Sequence, residues 1–452
     1  QAAAAADGRY YEWPSDGLTM GTRSQQAAGP RAGITARSGD MDLEVGGNLY
    51  VTGADLTATG SFHGLVLGDI HVTGLSLESQ DSSFAITSTW SGDSVFYGQK
   101  RSKETASAHQ SSSLGAGGDF SLIAGGNAEY QGVDIAAGGN LTLGAVTGNL
   151  KVEAQVDTAS SSFTTVDAFG DRVTLDTSTQ VAVGGGLEAG GDIRLLAGND
   201  LHLSGVDATS GTGNIATVAG HDLDAGSLAV TSTENYVHAS PPPMGDEFNP
   251  WPTPDRESRD TSATHQYGGD FTARGDVVFD AGHGNPFGTA FVAEVRAARV
   301  AGGMTADAQV AAATPGNLDL TGVNITAGKV TDWGAISIAA AGDVHVGGAW
   351  DSNVTEVERT DSYLALLGIN HGVEESGTTV GVGPASGQLR GGAVSIRAEG
   401  GDLDLAALDV GSSNLYTYSS GDTRVSSSRL AASWKLGMRA EGQLSVDGLV
   451  AD

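Results

Sequence analysis

Short alternations of apolar and polar residues recur along the chain, each opened by Asn or Asp. They include "NLYVTGADL" from Asn48, "DIHVTGLSL" from Asp69, "NAEYQGVDI" from Asn127, "DLHLSGVDA" from Asp200, "NLDLTGVNI" from Asn317 and "DLDLAALDV" from Asp402. Apolar-x-apolar describes a strand of about three to five residues whose alternate side chains face a core. Gly-Gly-[Asp/Asn] occurs seven times, at Asn48, Asp119, Asn127, Asn140, Asp192, Asp270 and Asp402, where chance would give roughly one or two. These residues are expected to turn corners by supplying positive φ.

Spacing sets the architecture. Asn48 to Asp69 and Asp119 to Asn140 are each 21 residues, and Asp200 to Asp222 is 22. Two or three short strands with their corners fill one such interval, which equals one coil of a parallel β-helix whose equivalent strands stack about 4.8 Å apart. The fold class expected is therefore all-β: a right-handed β-solenoid with a thin core of Ala, Val, Leu and Ile.

A longer period is superimposed. "LSLESQDSS" ends near Asp81, "LKVEAQVDTASSS" near Asp157 and "LAVTSTENY" near Glu234, and a Ser/Thr-rich excursion follows each. The excursions read as β-hairpin arms over residues 79–113 and 157–180, a Pro-rich excursion over 234–266, and arms over 351–388 and 413–433. Coils fill 39–233, 267–350 and 389–452, and residues 1–38 read as an amino-terminal cap or non-repeat segment. Three or four coils per outgrowth, about 14 coils in all, would make a rod of about 70 Å. "SPPPMGDEFNPWPTPD" in the third excursion reads as an extended polyproline-type segment or stiff loop.

Composition narrows the classes. The 452 residues include 68 Gly and no Cys, with 39% hydrophobic residues, 6% aromatic and a net charge of −31. So much Gly argues against helix, and so many apolar residues argue against disorder. The charge disfavours nucleic acid and anionic membrane as partners. Thiolate, disulfide and Cys-nucleophile chemistry is absent. No apolar run reaches membrane-spanning length, and "QAAAAA" is no signal peptide. The chain thus reads as a processed or excised piece, or as a cytosolic protein.

"AGGNLTLGAVTGNLKVEAQVDTASSSFT" and "AGGDIRLLAGNDLHLSGVDAT" resemble the haemagglutinin repeats of filamentous-haemagglutinin-like exoproteins, the secreted partners in two-partner secretion. The resemblance spans roughly Gly39 to Leu449 and is strongest from Gly117 to Val230. It implies a secreted or cell-surface β-helical adhesin or stalk, an outer-membrane two-partner secretion transporter, and a receptor, glycan or neighbouring copies of the chain as partners. The chain shows neither the family's amino-terminal secretion motif nor a carboxy-terminal toxin.

Candidate sites are few. Asp402, Asp404 and Asp409, with Asp319 and Asp42, would suit weakly bound Ca²⁺ if stacked, and a solvated acidic face is the plainer reading. His71, His202 and His345 share one outward slot in distant coils. Asp192 with Arg194 is the nearest approach to a polysaccharide-active pair, and no catalytic motif accompanies it; no enzyme, catalytic residue or cofactor is expected. Trp90, Phe96, Tyr97, Phe163, Phe169, Trp251, Tyr416 and Tyr418 are the candidate contact residues on arms, and "GQKRSKE" is a rare basic cluster suited to docking on acidic rod surface. The alternatives are an end-to-end filament or matrix subunit and a β-helical carbohydrate-active enzyme.

Overall fold

The computed structural model describes residues 4–448 apart from 13–16, 28, 30, 92–93, 168, 241–255, 303–314, 329–333, 363–371 and 385–386. Nearly all of it is β-structure, in solenoid-like parallel sheets around a core and one ten-stranded antiparallel sheet. Along the solenoid the chain repeats three strands. The first set includes Ala54–Ala58 and Val133–Ala137, the second Phe62–Val66 and Leu141–Ala145, the third Ile70–Thr73 and Leu150–Glu153. Each pairs in parallel with its equivalent one coil on, as Leu49 does with Ile70 and Leu141 with Ile193. The third set alone forms an 11-stranded sheet, so the described chain makes 11 coils rather than the 14 expected, about 50 Å at strand spacing. Alternation buries every second residue, as in the buried–exposed pattern of Val133–Ala137. The core is not uniformly small: Phe62 stacks on Phe120 at 4.7 Å between ring centroids, Phe271 meets Phe279 edge-on at 5.0 Å, and Tyr130 is fully buried.

Two of the three corners carry side-chain ladders. At the corner entering the third strand, Oδ1 of Asn48 accepts the backbone N–H of Asp69 at 2.9 Å, and Asp69 does the same for Asn127, Asn127 for Asn149 and Asn149 for Asp200. The series continues through Asp222, Asn317, Asp343, Asp402 and Asp422 to the N–H of Gln443. A parallel series joins Asp119, Asn140, Asp192, Asn214 and Asp276 at the preceding corner. Each bond pairs a corner N–H that the strand ladders do not use.

These ladders explain the Gly-Gly doublet, and not in the expected way. Before Asn48, Asp119, Asn127, Asn140, Asp192 and Asp402 neither glycine has a positive φ; only Gly268 and Gly269, before Asp270, do. Among the described residues no Asn or Asp is left-handed either. The glycines make room. A Cβ on Gly138 would collide with the Gly117 carbonyl oxygen, and one on Gly139 with Oδ1 of Asp119 in the coil below. Positive φ recurs at the third corner, at Gly53, Gly132, Gly205 and Gly322, and Ala407 and Ser427 adopt it in the same place with φ of 53° and 48°.

That third corner is where the excursions leave, at every second coil rather than every third or fourth. Leu75–Ser91 pairs antiparallel with Ser94–Gln110, Gln155–Val166 with Arg172–Val183, Leu228–Ala239 with Arg256–Tyr267, and Trp350–Ser362 with Gly372–Pro384. Successive pairs also bond to one another, as Ser94–Gln110 does to Gln155–Val166. Two coils rise by two strand spacings, which is the width of one pair, so the pairs merge into one continuous sheet. Residues 413–433 make no such pair: Asp409–Ser419 and Arg429–Ala440 are coil strands, paired in parallel. Ser427 turns that corner as a left-handed residue, so the chain needs no excursion to close the coil. Of residues 1–38, expected to form a cap or non-repeat segment, the described part is mostly strand. Ala4–Glu12 and Gly17–Ala27 carry the same polar alternation as the excursions and extend the antiparallel sheet beyond Leu75–Ser91, and Ala32–Ala36 already begins the first coil. Residues 241–255, the Pro-rich stretch, lie outside the described residues.

One element was not anticipated. The coil between Val277–Ala281 and Leu318–Thr321 is interrupted by a helix, Thr289–Ala301, where continuous coils were expected over 267–350. Its Val292 and Val295 pack on Val146 with Phe287 and Ile123. It lies against earlier coils: Phe287 occupies the space above Gly144, and Arg299 donates to the Leu67 carbonyl at 2.9 Å. The glycines there leave the outer wall bare enough to receive it.

Replacing Gly139 by Ala is expected to lower stability by about 2 kcal/mol or more, because the methyl displaces the Asp119 ladder oxygen. Ala407→Gly is expected to raise it by up to about 1 kcal/mol through release of left-handed strain. Urea unfolding followed by circular dichroism measures both.

Candidate interaction surfaces

With the core closed, any function lies on outward-facing side chains. On the 11-stranded sheet the middle outward position forms one row: Tyr50, His71, Glu129, Lys151, His202, Asp224, Asp319, His345, Asp404 and Arg424. The three histidines share this row with two coils between each, so they face charged neighbours rather than one another. Tyr50 stacks on His71 at 5.1 Å, His71 lies 3.3 Å from Glu129, and Lys151 joins Glu129 at 3.7 Å to Glu153 at 2.8 Å. His202 sets Nε2 3.1 Å from Glu153 and Nδ1 2.9 Å from Asp224, and His345 sits 3.2 Å from Asp404. Both ring nitrogens of His202 can donate at once only as imidazolium. The Asp224 hydrogen bond, with the charges of Asp224 and Glu153, raises its pKa above the ordinary imidazole value against the opposing effect of burial.

The acidic residues proposed for Ca²⁺ do not converge. Asp402 belongs to the corner ladder, Asp404 faces His345, Asp409 pairs with Arg390, and Asp319 accepts from the Thr321 hydroxyl at 2.7 Å. The Arg390 hydrogen bond holds the Asp409 carboxyl below its usual range. Asp42 lies opposite His63 on a different face from Asp319 and Asp404. Among the described residues, one group could hold a metal: Asp200, His221 and Asp222. His221 Nδ1 is 2.9 Å from Asp200 and 3.2 Å from Asp222, and both aspartates also accept ladder N–H groups. Asp192 meets Arg194 at 3.2 Å on an exposed strand start while its Oδ1 serves the ladder. Six of the seven corner residues named from sequence sit in the two ladders; Asp270, at the third corner, donates its backbone N–H to Oδ1 of Asp207 at 3.1 Å and accepts from the Asn324 amide at 2.8 Å.

The aromatic candidates divide. Tyr97 is exposed in an antiparallel pair, and Phe169 is exposed at the turn of the next. Phe163 is covered by Lys100, 5.0 Å from its ring, and Arg101 lies over Phe84 at 5.4 Å, so two of the basic cluster's three cations are set on neighbouring strands of its own sheet. Trp90 and Phe96 occupy strand positions opposite Val95 and Thr89; their side chains and Trp251 lie outside the described residues. Tyr416 and Tyr418 are not on an arm. They stand on the outer face of coil strand Asp409–Ser419, where the pairing sets Arg397, Tyr418 and Arg439 in one row and Ser395, Tyr416 and Gly437 in the next. Arg439 lies 5.7 Å from the Tyr418 ring, and Tyr418 donates to Glu441 at 3.1 Å. Ser395, Arg397, Glu399, Tyr416, Tyr418 and Arg439 line an open cleft of about 460 Å³.

The antiparallel pair Leu75–Gln110 and the two coils after it make up the repeating unit of the fold, and a comparison with known families falls on it. Residues 74–168 match the family model described as Hemagglutinin repeat. This segment is similar to that repeat. It begins at the third corner, covers one antiparallel pair and two coils, and runs into the next pair. No curated protein and no solved structure matches the chain. Among the described residues no helix is long and apolar enough to cross a membrane.

Because the raised His202 pKa favours its bonds in the charged form, that stabilisation is complete below the unfolded imidazole value of about 6.5 and is lost as pH rises through the folded value. The melting-temperature advantage of the native chain over His202→Gln is therefore expected to shrink between about pH 6 and pH 8; an advantage independent of pH would show that His202 acts by packing alone.

Proposed function

We propose that this chain is a segment of a secreted, surface-exposed fibre: a right-handed β-helix of about 21-residue coils bearing hairpin arms, acting as adhesin or stalk of a filamentous-haemagglutinin-like exoprotein. The carrying observation is that the hemagglutinin-repeat match contains one full structural unit, a strand pair plus two coils, and that the same unit recurs from Gln155 and from Leu228. Such a rod displays long outer faces and needs no catalytic cleft. Export through a two-partner secretion transporter and a position outside the cell follow from this reading.

The contact face favoured within it is the Tyr416–Tyr418 cleft. Tyrosine and arginine supply large, rigid contact area with hydrogen-bonding edges, and Tyr416 is 44% exposed. A glycan fits this chemistry: sugar faces stack on the ring, and the Arg397–Glu399 and Arg439–Glu441 pairs offer donors and acceptors to hydroxyls.

Beads coated with the chain are expected to attach to glycan-bearing cells in a manner competed by soluble chain. The double variant Tyr416→Ala, Tyr418→Ala is expected to weaken attachment about ten-fold, ~1.4 kcal/mol, with little change in melting temperature. Attachment by neither protein would favour a stalk without adhesive contacts of its own.

A further inference from the structure

The antiparallel sheet stops before the solenoid does. Its last strand, Gly372–Pro384, bonds to Trp350–Ser362 on one side, and among the described residues nothing bonds to its other side. The coils containing Asp409–Ser419 and Arg429–Ala440 continue past it without an excursion. At two strand spacings per excursion, a shelf about 10 Å deep is left beside the free edge, the width of one further strand pair.

The edge itself is unguarded. Natural sheet edges are usually protected by lysines, prolines or bulges. From Ser376 to Gly383 this strand reads Ser-Gly-Thr-Thr-Val-Gly-Val-Gly, with no charge, and Val380 and Val382 are 58% and 59% exposed. The opposite edge, Ala4–Glu12, differs: Asp7, Arg9 and Glu12 are spread along it.

We propose that Gly372–Pro384 is a self-association edge, pairing antiparallel with the same strand of a second copy of this chain about a two-fold axis near Thr378. The sequence is self-complementary in that register. Glu374 and Glu375, the strand's only charged residues, come opposite Val382 and Gly381 of the other copy rather than opposite each other, and Val380 comes opposite Ser376. Antiparallel pairing also sends the two solenoids to opposite ends of the shared sheet, so each copy's strand pair enters the other's shelf. A two-fold contact of this kind is closed and gives a dimer, by the main-chain bonding that strand addition uses generally. Continuity with the existing sheet, in which every neighbouring pair is antiparallel, argues for a second copy over an unrelated peptide.

Light scattering after size exclusion at about 100 µM, where a micromolar dimer is nearly complete, is expected to give twice the chain mass. Val380→Lys with Val382→Lys is expected to give the monomer mass with an unchanged circular dichroism spectrum. The absence of cysteine allows a direct register test. Thr378→Cys is expected to form a disulfide-linked dimer on mild oxidation, whereas Thr233→Cys, on the interior strand Leu228–Ala239, is not. A monomeric native chain would overturn the proposal. So would a dimer that survives the lysines and in which Thr378→Cys cross-links no better than Thr233→Cys.

Discussion

The structure depends on one hydrogen bond repeated along two edges: the side-chain oxygen of an Asn or Asp accepting the backbone N–H of the equivalent residue one coil on. A short-stranded solenoid leaves its corner N–H groups outside the strand ladders, and an unpaired buried or half-buried donor costs on the order of 1–3 kcal/mol. The side chain repairs that loss and fixes the distance between coils. It also restricts most of the residues that precede a ladder position. With the oxygen of Asp119 seated under the next coil, position 139 has no room for a Cβ; Asn199 and His221, before Asp200 and Asp222, are the exceptions. Net charge is tolerated by the same device: many of the chain's aspartates accept N–H bonds at corners separated along the rod rather than crowding one patch.

The fold was largely legible because its period is written in residues that have few alternatives. The 21-residue spacings from Asn48 to Asp69 and from Asp119 to Asn140, and the 22 from Asp200 to Asp222, are each spanned by one ladder hydrogen bond. What sequence misjudged was cause and count. Gly-Gly reads as a demand for positive φ, since turns are its commonest setting, while the real constraint is an oxygen supplied by a residue some 20 positions earlier. Coils per excursion were overestimated because the excursion Leu75–Gln110 itself occupies much of the spacing between junctions. Residues 413–433 share the Ser-rich composition of the excursions but pair as coil strands, and only tertiary registration separates the two.

Surface chemistry was less legible. The row from Tyr50 to Arg424 holds residues whose sequence separations vary from about 20 to 95 because excursions and the helical insertion intervene, so no local pattern announces that His202 is clamped between Glu153 and Asp224. The helix Thr289–Ala301 was missed because its apolar positions meet a wall of glycines on earlier coils, a match visible only once both are placed. Tyr416 and Tyr418 stand on a coil strand and not on an arm, since alternation sets a residue outward in either element.

The commensurate pitch of coils and strand pairs has a mechanical side. Interstrand hydrogen bonds in both the solenoid and the antiparallel sheet point along the rod, so tension applied end to end loads them a rung at a time instead of in shear. Such a rod would lengthen by peeling, each detached coil releasing a fixed run of chain before the next ladder bond takes up the load. The helix lying across earlier coils and anchored through Arg299 acts as a splint over that stretch. A rod built this way would release its length in steps.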